Sequence, residues 1–510
     1  MALCTSNVTS GFIDLATYDE LEKYMYGGAD ATAYFVRETR KSTWFTQVPV
    51  CLSKSSGEAQ FGQEWSAQIT RSGDYLLNMW LQAEFPFVVN KTGNSGDNLR
   101  WVQNLMHNLV EECWITFNDL VAAKFDSAHL DFWSQFAYSS SKKSGYNAMI
   151  GNADYQSMGY EKIASAESFA CNVAADNTNV LPGNYTAQAK VLHHKRPTLF
   201  LPLPFFFSRD SGLALPTAAL PYNDMRINFK FRDWKQLLLK DKENGSTSQA
   251  AEADFKVVNQ ISQTTISEEP QLKNVQVWAN YAIVSNDERK KMACAPRDIL
   301  IEQVQTATPV EISTDAINPN FNLRFSHAVK ALFFGLKNHS NDGVELSYYS
   351  TVSPNAHGDG DGSTRIAMPL YTPANGNTNV MCGQVDPIQK VSLVYENTNR
   401  LEEVSSGYVS KVQPFYHANT SKSTDPGYHM YSYSLDYDAL NPLGSTNYGK
   451  MTNVSLITWL SQAAKAVNGT SGVDIGGGTM TTAQRYQFVC SAINNNIVRI
   501  SGGALGFPIV

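Results

Sequence analysis

The chain has 510 residues, and its 40 Lys and Arg against 47 Asp and Glu leave a net charge of −7. That balance excludes a protein built to coat nucleic acid, which needs a basic excess or a basic arm to neutralise phosphates. Only 17% of residues are charged, below the usual quarter, and the length implies two domains of roughly 200 residues each.

Met1-Ala2-Leu3-Cys4 has neither a basic start nor a following apolar block, so no secretory signal is expected there. Residues 1–27 place Leu15, Tyr18, Leu21 and Tyr24 at helical spacing among Asp19, Glu20 and Glu22. This reads as a short amphipathic helix, either packed on its own domain or serving as an arm toward a partner. From residue 43 onward strand signals follow in bursts: Thr43–Val50, Gly62–Thr70, Tyr75–Phe87 and Leu109–Phe117, bounded by turn-rich segments. A short helix fits Ala128–Ala137, residues 139–187 read as one long polar loop, and Lys190–Leu201 and Met225–Phe231 read as strands. Residues 28–235 therefore form a first all-β module.

A charged bridge at 236–270 leads to a second module, 271–510, expected to open on the strand Val275–Val284. Ser285 begins a helix whose first turn is acidic and whose next residues are Arg289, Lys290 and Lys291, which suits the helix dipole. Strands fit Ile299–Val304, Ala328–Leu336, Val391–Tyr395, Tyr428–Leu435, Val454–Leu460 and Phe488–Ile500. Between them Asn338–Asp386 is too long for a plain connection. Val344, Leu346, Tyr348 and Tyr349 suggest an apolar base beneath its polar tip, so it reads as a partly ordered tower facing outward. Two tandem eight-stranded jelly-roll sandwiches with short helices and long loop insertions are the expected all-β fold.

Residues 200–231, FLPLPFFFSRDSGLALPTAALPYNDMRINFKF, are strongly apolar yet broken by Pro202, Pro204, Pro216 and Pro221. Those prolines forbid a helix interior and are tolerated only at strand ends and edges. If extended, Phe205, Phe206 and Phe207 alternate faces, so one ring enters the core while a neighbour faces outward to a subunit contact. With Arg209 and Asp210 they form a candidate closing and assembly motif.

Chemical sites are not supported. His357–Ser363 spaces two carboxylates as a calcium loop does, but Thr364 and Leu370 replace the Gly and Glu an EF-hand needs beyond them. His193 and His194 fall on opposite faces of a strand and cannot jointly hold one ion. Gly476-Gly477-Gly478 lacks the partners of a phosphate loop. Seven cysteines, Cys4, Cys51, Cys113, Cys171, Cys294, Cys382 and Cys490, lie singly, which favours free thiols, a reducing compartment and no zinc. No catalytic residue, cofactor or metal is expected.

The 200–231 segment closely resembles one found in the major capsid proteins of nucleocytoplasmic large DNA viruses. So do SGFIDLATYDELEKYMYGG (Ser10–Gly28), FGQEWSAQITRSGDYLLNMWL (Phe61–Leu81) and NDERKKMACAPRDILIEQVQ (Asn286–Gln305). The likeness is strongest to iridoviruses and marseilleviruses and spans nearly the whole chain. It implies a structural shell protein rather than an enzyme. Three copies would form a pseudo-hexagonal capsomer that tiles an icosahedral capsid assembled in the host cytoplasm. Implied partners are the same chain in its own trimer and in neighbouring capsomers, minor capsid and penton proteins, and an internal membrane below the 1–27 arm. No direct nucleic-acid contact is implied. The competing reading is a carbohydrate-binding or glycosidase-like sandwich, whose paired carboxylates would have to face each other about 5 to 10 Å apart.

Overall fold

Period-two alternation governs the clearest strands. Met225–Phe231 buries Met225, Ile227, Phe229 and Phe231 and leaves Arg226, Asn228 and Lys230 partly exposed. Val454–Leu460 repeats the pattern with Val454, Leu456, Thr458 and Leu460 inward. Such strands need a second sheet against their apolar face. The computed structural model describes residues 12–13, 16, 44–86, 97–102, 104–151, 198–242, 269–294, 296–312, 318–339, 346–347, 349–350, 386–418, 427–461, 464 and 485–506. Met1–Trp44 forms one compact unit and Phe45–Val510 another. In the first, residues 12, 13 and 16 are helical, within the expected 1–27 helix; the rest of that arm lies outside the described residues.

The first sandwich stacks two sheets. One runs β1 (Phe45–Cys51), β11 (Lys273–Val284), β4 (Tyr75–Glu84) and β8 (Thr198–Pro202). The other runs β2 (Ser53–Gly57), β3 (Glu64–Gln68), β9 (Met225–Phe231), β6 (Val110–Phe117) and β7 (Leu120–Asp126). A separate ribbon pairs β5 (Asp97–Trp101) with β10 (Leu238–Lys242). In the second sandwich β12 (Arg297–Thr306), β21 (Tyr486–Ser501), β15 (Ala328–Asn338) and β18 (His429–Ser432) form one sheet. Short strands β13 (Val310–Ile312) and β22 (Ala504–Gly506) extend β21, and β19 (Thr446–Asn447) extends β15. The facing sheet is β14 (Asn320–Asn322), β20 (Val454–Leu460), β16 (Ile388–Tyr395) and β17 (Thr398–Ser405).

With β2, the ribbon and the short extensions set aside, both sandwiches obey one rule. Their eight strands lie in the order first-eighth-third-sixth in one sheet and second-seventh-fourth-fifth in the other. That is the jelly-roll order, and it occurs twice. The expected all-β double jelly roll is the fold.

One boundary needs correction. β11, read as the opening strand of the second module from 271, is the eighth strand of the first roll, hydrogen-bonded to β1 and β4 on its two sides. Strand pairing therefore divides the rolls after Val284. Leu238–Lys242, inside the expected linker, is strand β10. A strand's local pattern reports its faces and not its partners, so neither assignment was visible in composition.

Helices fill the connections: α1 (Leu105–Leu109), α2 (Ser127–Phe136), α3 (Ser140–Ile150), α4 (Trp234–Leu237), α5 (Asn286–Cys294) and α6 (Gln413–His417). Helix α3 replaces the start of the expected 139–187 loop, burying only Tyr146 and Ile150 and closing on Gly151 at φ 81°. Two buried side chains one turn apart are a faint signal in a Ser- and Lys-rich stretch. Of the expected tower base, Leu346 and Tyr349 are buried, whereas Val344, Tyr348 and the 357–363 tip lie outside the described residues.

Each roll has its own core. The second centres on Phe321 and Phe488, stacked at 3.8 Å with 5° between rings. Phe488→Ala should lower stability by about 3–5 kcal/mol. Hydrogen exchange should show the loss first in β13, β15 and β21 of the second roll, with β4, β9 and β11 affected less.

Candidate assembly junction between the two rolls

Pro202 ends β8, an edge strand where a missing N–H breaks no ladder. Beyond Pro204 the backbone leaves strand geometry. Phe205 is extended, and Phe206–Ser208 form a 3-10 turn. All three phenylalanines are buried, at 1%, 4% and 0% exposure. Phe207 stacks on Phe205 at 5.7 Å, Phe206 meets it edge-on at 5.3 Å, and Phe205 also packs on Phe125. The expected outward ring is therefore corrected: a turn of three residues replaces two-fold alternation and aims every ring into the first roll's core. Asp210 caps the next turn by accepting from Gly212 N at 3.0 Å. Pro216 is buried where Leu215 pairs with Leu76, and Pro221 is exposed.

Arg209 makes the longer-range connection. Its guanidinium donates to Glu302 on β12, and to the Asp438 carboxylate at 2.6 Å and carbonyl at 3.0 Å. It also lies over the Trp133 ring of α2, 5.0 Å from the centroid. Lys330 on β15, 1% exposed, donates to the other oxygen of Glu302 and to the carbonyl of Ala439. Two cations and two carboxylates thus close into a neutral set. Arg209 and Trp133 come from the first roll, and Glu302, Lys330 and Asp438 from the second.

Beside this clamp α2 acts as a wedge. Asp126 caps its start by accepting from His129 N at 2.8 Å. Phe132, Trp133 and Phe136 then pack with Phe333, Tyr428, Met430, Tyr437, Val489 and Ile493 of the second roll. Phe132 and Phe136 both lie nearly parallel to Phe333, at 6.4 and 5.6 Å. His129, on the same face, is 3.1 Å from the Ser491 hydroxyl, and burial depresses its pKa to about 3.

The opposite side of α2 is polar. Asp131 shares a 2.8 Å hydrogen bond with His107 of α1, whose other nitrogen is 2.7 Å from the Tyr146 hydroxyl of α3. Tyr349 donates to the second oxygen of Asp131 at 3.4 Å. The Asp-His-Tyr chain resembles a proton relay, but His107 and Asp131 are 0% and 2% exposed, so it ties α1, α2 and α3 together without access for a substrate.

A further tie precedes the second roll. Asp74, at the start of β4, accepts from Val284 N and from both Nε and Nη2 of Arg289 on α5. Burial pushes its carboxyl pKa up, but the hydrogen bonds from Arg289 and Val284 and the guanidinium charge outweigh that and hold it below the usual carboxylate range.

The sequence reading named Arg209 and the α2 segment but missed Glu302, Lys330 and Asp438, which carry no local motif. The apolar face of α2 at 129, 132, 133 and 136 was readable, though its partner was not. His193, His194, 357–363 and 476–478 lie outside the described residues. Among the described residues, no group of three His, Cys, Asp or Glu side chains is placed to hold a metal, and Cys51, Cys113 and Cys490 are free thiols.

Residues 33–284 match the family described as major capsid protein N-terminus, and residues 288–506 the large eukaryotic DNA virus major capsid protein family. The chain belongs to the major capsid proteins of large eukaryotic DNA viruses. The two matches meet at the Val284 boundary that strand pairing draws. The chain is 51% identical to the major capsid protein of Costelytra zealandica iridescent virus and 48% identical to that of Invertebrate iridescent virus 6, each over 100% of both chains. Its fold matches a subunit of the PBCV-1 virus capsid with a TM-score of 0.66 and 21% identity, over 93% of this chain and 99% of that one. The capsid protein is structural and not an enzyme, which displaces the carbohydrate-active reading.

In this capsid subunit, Arg209→Met should cost about 2–3 kcal/mol, because Glu302 loses one of its two cations and Asp438, 36% exposed at its side chain, is left as a surplus charge. Glu302→Gln should also destabilise. The double variant leaves Lys330 and Asp438, one charge of each sign, so denaturation midpoints should show a loss smaller than the sum.

Acid should loosen the wedge. The folded pKa of His129 is about 3, below the roughly 6.5 of an unfolded histidine, so unfolded chains bind more protons between those values. The stabilisation is complete above about pH 6.5 and declines as pH falls, by up to about 1.4 kcal/mol per pH unit. In His129→Gln, unfolding midpoints measured from pH 6.5 to 4 should fall less steeply than in the native chain.

Proposed function

We propose that this capsid subunit forms a homotrimer whose six jelly rolls make a pseudo-hexagonal capsomer, and that capsomers tile the faces of an icosahedral shell. The observation that carries this reading is the repeated strand order within one chain. Each subunit supplies two copies of the same block, locked together by the Arg209 set and by α2. Three such chains then offer six comparable sides, the geometry a hexagonal tile requires. Closed rotational symmetry is the common solution for identical subunits.

In this reading the 139–187 insertion beyond helix α3, and the 338–386 insertion beyond the buried Leu346 and Tyr349, face solvent at the top of the capsomer. The 1–27 arm lies at its base, near minor capsid proteins or an internal membrane, and penton proteins fill the vertices. The net charge of −7 suits a subunit that does not touch packaged DNA. Scattered single cysteines suit assembly in the reducing host cytoplasm.

Light scattering of the purified native subunit should give three times the chain mass at micromolar concentration. A folded monomer under those conditions would overturn the trimer.

A further inference from the structure

Each roll places helical chain directly after its fifth strand. In the first, β7 ends at Asp126 and α2 begins at Ser127. In the second, β17 ends at Ser405, and helical chain continues from Ser406 through the π turn Tyr408–Val412 into α6. The two segments are topological equivalents.

Helix α2 covers the other roll. Its aromatic side chains pack with Ala331 and Phe333 of β15 and with Val489 and Ile493 of β21. Alternate residues of those strands, Leu332, Phe334, Phe488 and Cys490, belong to the second roll's interior. The receiving surface is therefore the outer face of the first-eighth-third-sixth sheet.

The equivalent segment of the second roll is anchored on its own roll by buried Val409, Gln413 and Pro414. Its outward residues are another matter. Phe415 and Tyr416 are 75% and 72% exposed and packed edge-to-face at 5.1 Å. Exposed Val412, Leu435 and Leu443 accompany them, with His417 Nδ1 2.9 Å from the Leu435 carbonyl and Leu435 N donating to Leu443.

The first roll has the matching outer face. Trp278 of β11 pairs with Cys51 of β1 and Trp80 of β4, and Trp80 pairs with Pro202 of β8. The two indoles lie parallel, 6.4 Å apart with 7° between planes, and are partly exposed, as is Phe200 on β8. Their strand neighbours Met79, Leu81, Val277 and Ala279 point into the first roll's core.

We propose that the Phe415–Tyr416 ridge of one copy docks on the Trp80–Trp278 face of the next copy, as α2 docks within the chain. This rests on the trimeric reading and names the surface it uses. Within the chain the second roll receives the first roll's helix; between chains the first roll receives the second roll's. Such a head-to-tail contact joins two different surfaces and closes into a ring when the rotation allows. A buried aromatic ring contributes about 150–250 Å². The exposed pair therefore presents on the order of 200–350 Å², near the size of the largest apolar patch on a typical monomer. A stable interface needs about 800 Å² per partner, so the pair forms its aromatic centre and surrounding polar contacts supply the rest.

Two measurements test this in the full-length subunit. A benzophenone amino acid at position 415, in a mixture of isotope-labelled and unlabelled copies, should crosslink between chains to peptides of β4 or β11. Intermolecular crosslinks confined to other segments would overturn the docking, whatever the stability of any variant. Phe415→Ser/Tyr416→Ser, and separately Trp80→Ser/Trp278→Ser, should weaken association about thirtyfold or more while circular dichroism is unchanged. Trimers that persist in the folded Phe415→Ser/Tyr416→Ser variant would remove this contact and leave the trimer standing. A monomeric native chain would remove both.

Discussion

Burying charge is the constraint on which this architecture turns. Each ion taken from water costs several kcal/mol unless it meets its opposite with good geometry. Glu302 is 9% exposed at its side chain and accepts from a cation on each oxygen. Neither Arg209 nor Lys330 reaches a comparable environment without it. The closing segment of the first roll, β12, β15 and the turn at Asp438 must therefore arrive together. A partly formed set would leave a charge stranded, so the junction favours one arrangement of the two rolls over a sliding contact.

Apolar packing reinforces the same choice. The face of α2 has Phe132 and Phe136 against Phe333, with His129 held neutral among them. The core of the first roll also takes in Ile301, Val498 and Ile500 from β12 and β21. The second roll thus completes part of the first roll's core, while α2 of the first roll covers the outer face of a second-roll sheet. For a shell subunit the consequence is mechanical: the building block is a fixed pair of rolls. A helix exported from one roll onto the sheet of another is also a device that can be repeated between chains, since the second roll carries an equivalent segment with its aromatic residues outward.

Much of this was legible before any coordinates. Met225–Phe231 and Val454–Leu460 were delimited residue for residue by their alternation, and Ala128–Ala137 was shifted by one. The run of prolines correctly marked an edge and a strand end at Pro202. Weakly patterned strands such as Ser53–Gly57 and Thr398–Ser405 went unread, because largely exposed residues on short hairpins carry little alternation. Phe205–Phe207 misled for a different reason. Periodicity arguments assume one backbone conformation throughout, and the chain changes from strand to 3-10 turn between Phe205 and Phe206.

Local chemistry alone thus determined the all-β class, the two-fold repetition, the need for an edge at the prolines and the membership carried by the long motifs. Those properties follow from backbone preference and side-chain period, which act over a few residues. Only the tertiary structure decided that β11 belongs to the first roll, that Arg209 meets Glu302 and Asp438, and that α2 covers the neighbouring roll. Those pairings join residues 93 and 229 positions apart in the case of Arg209. They depend on which surfaces remain to be buried once each sheet has formed, a property of the assembled rolls and not of any segment within them.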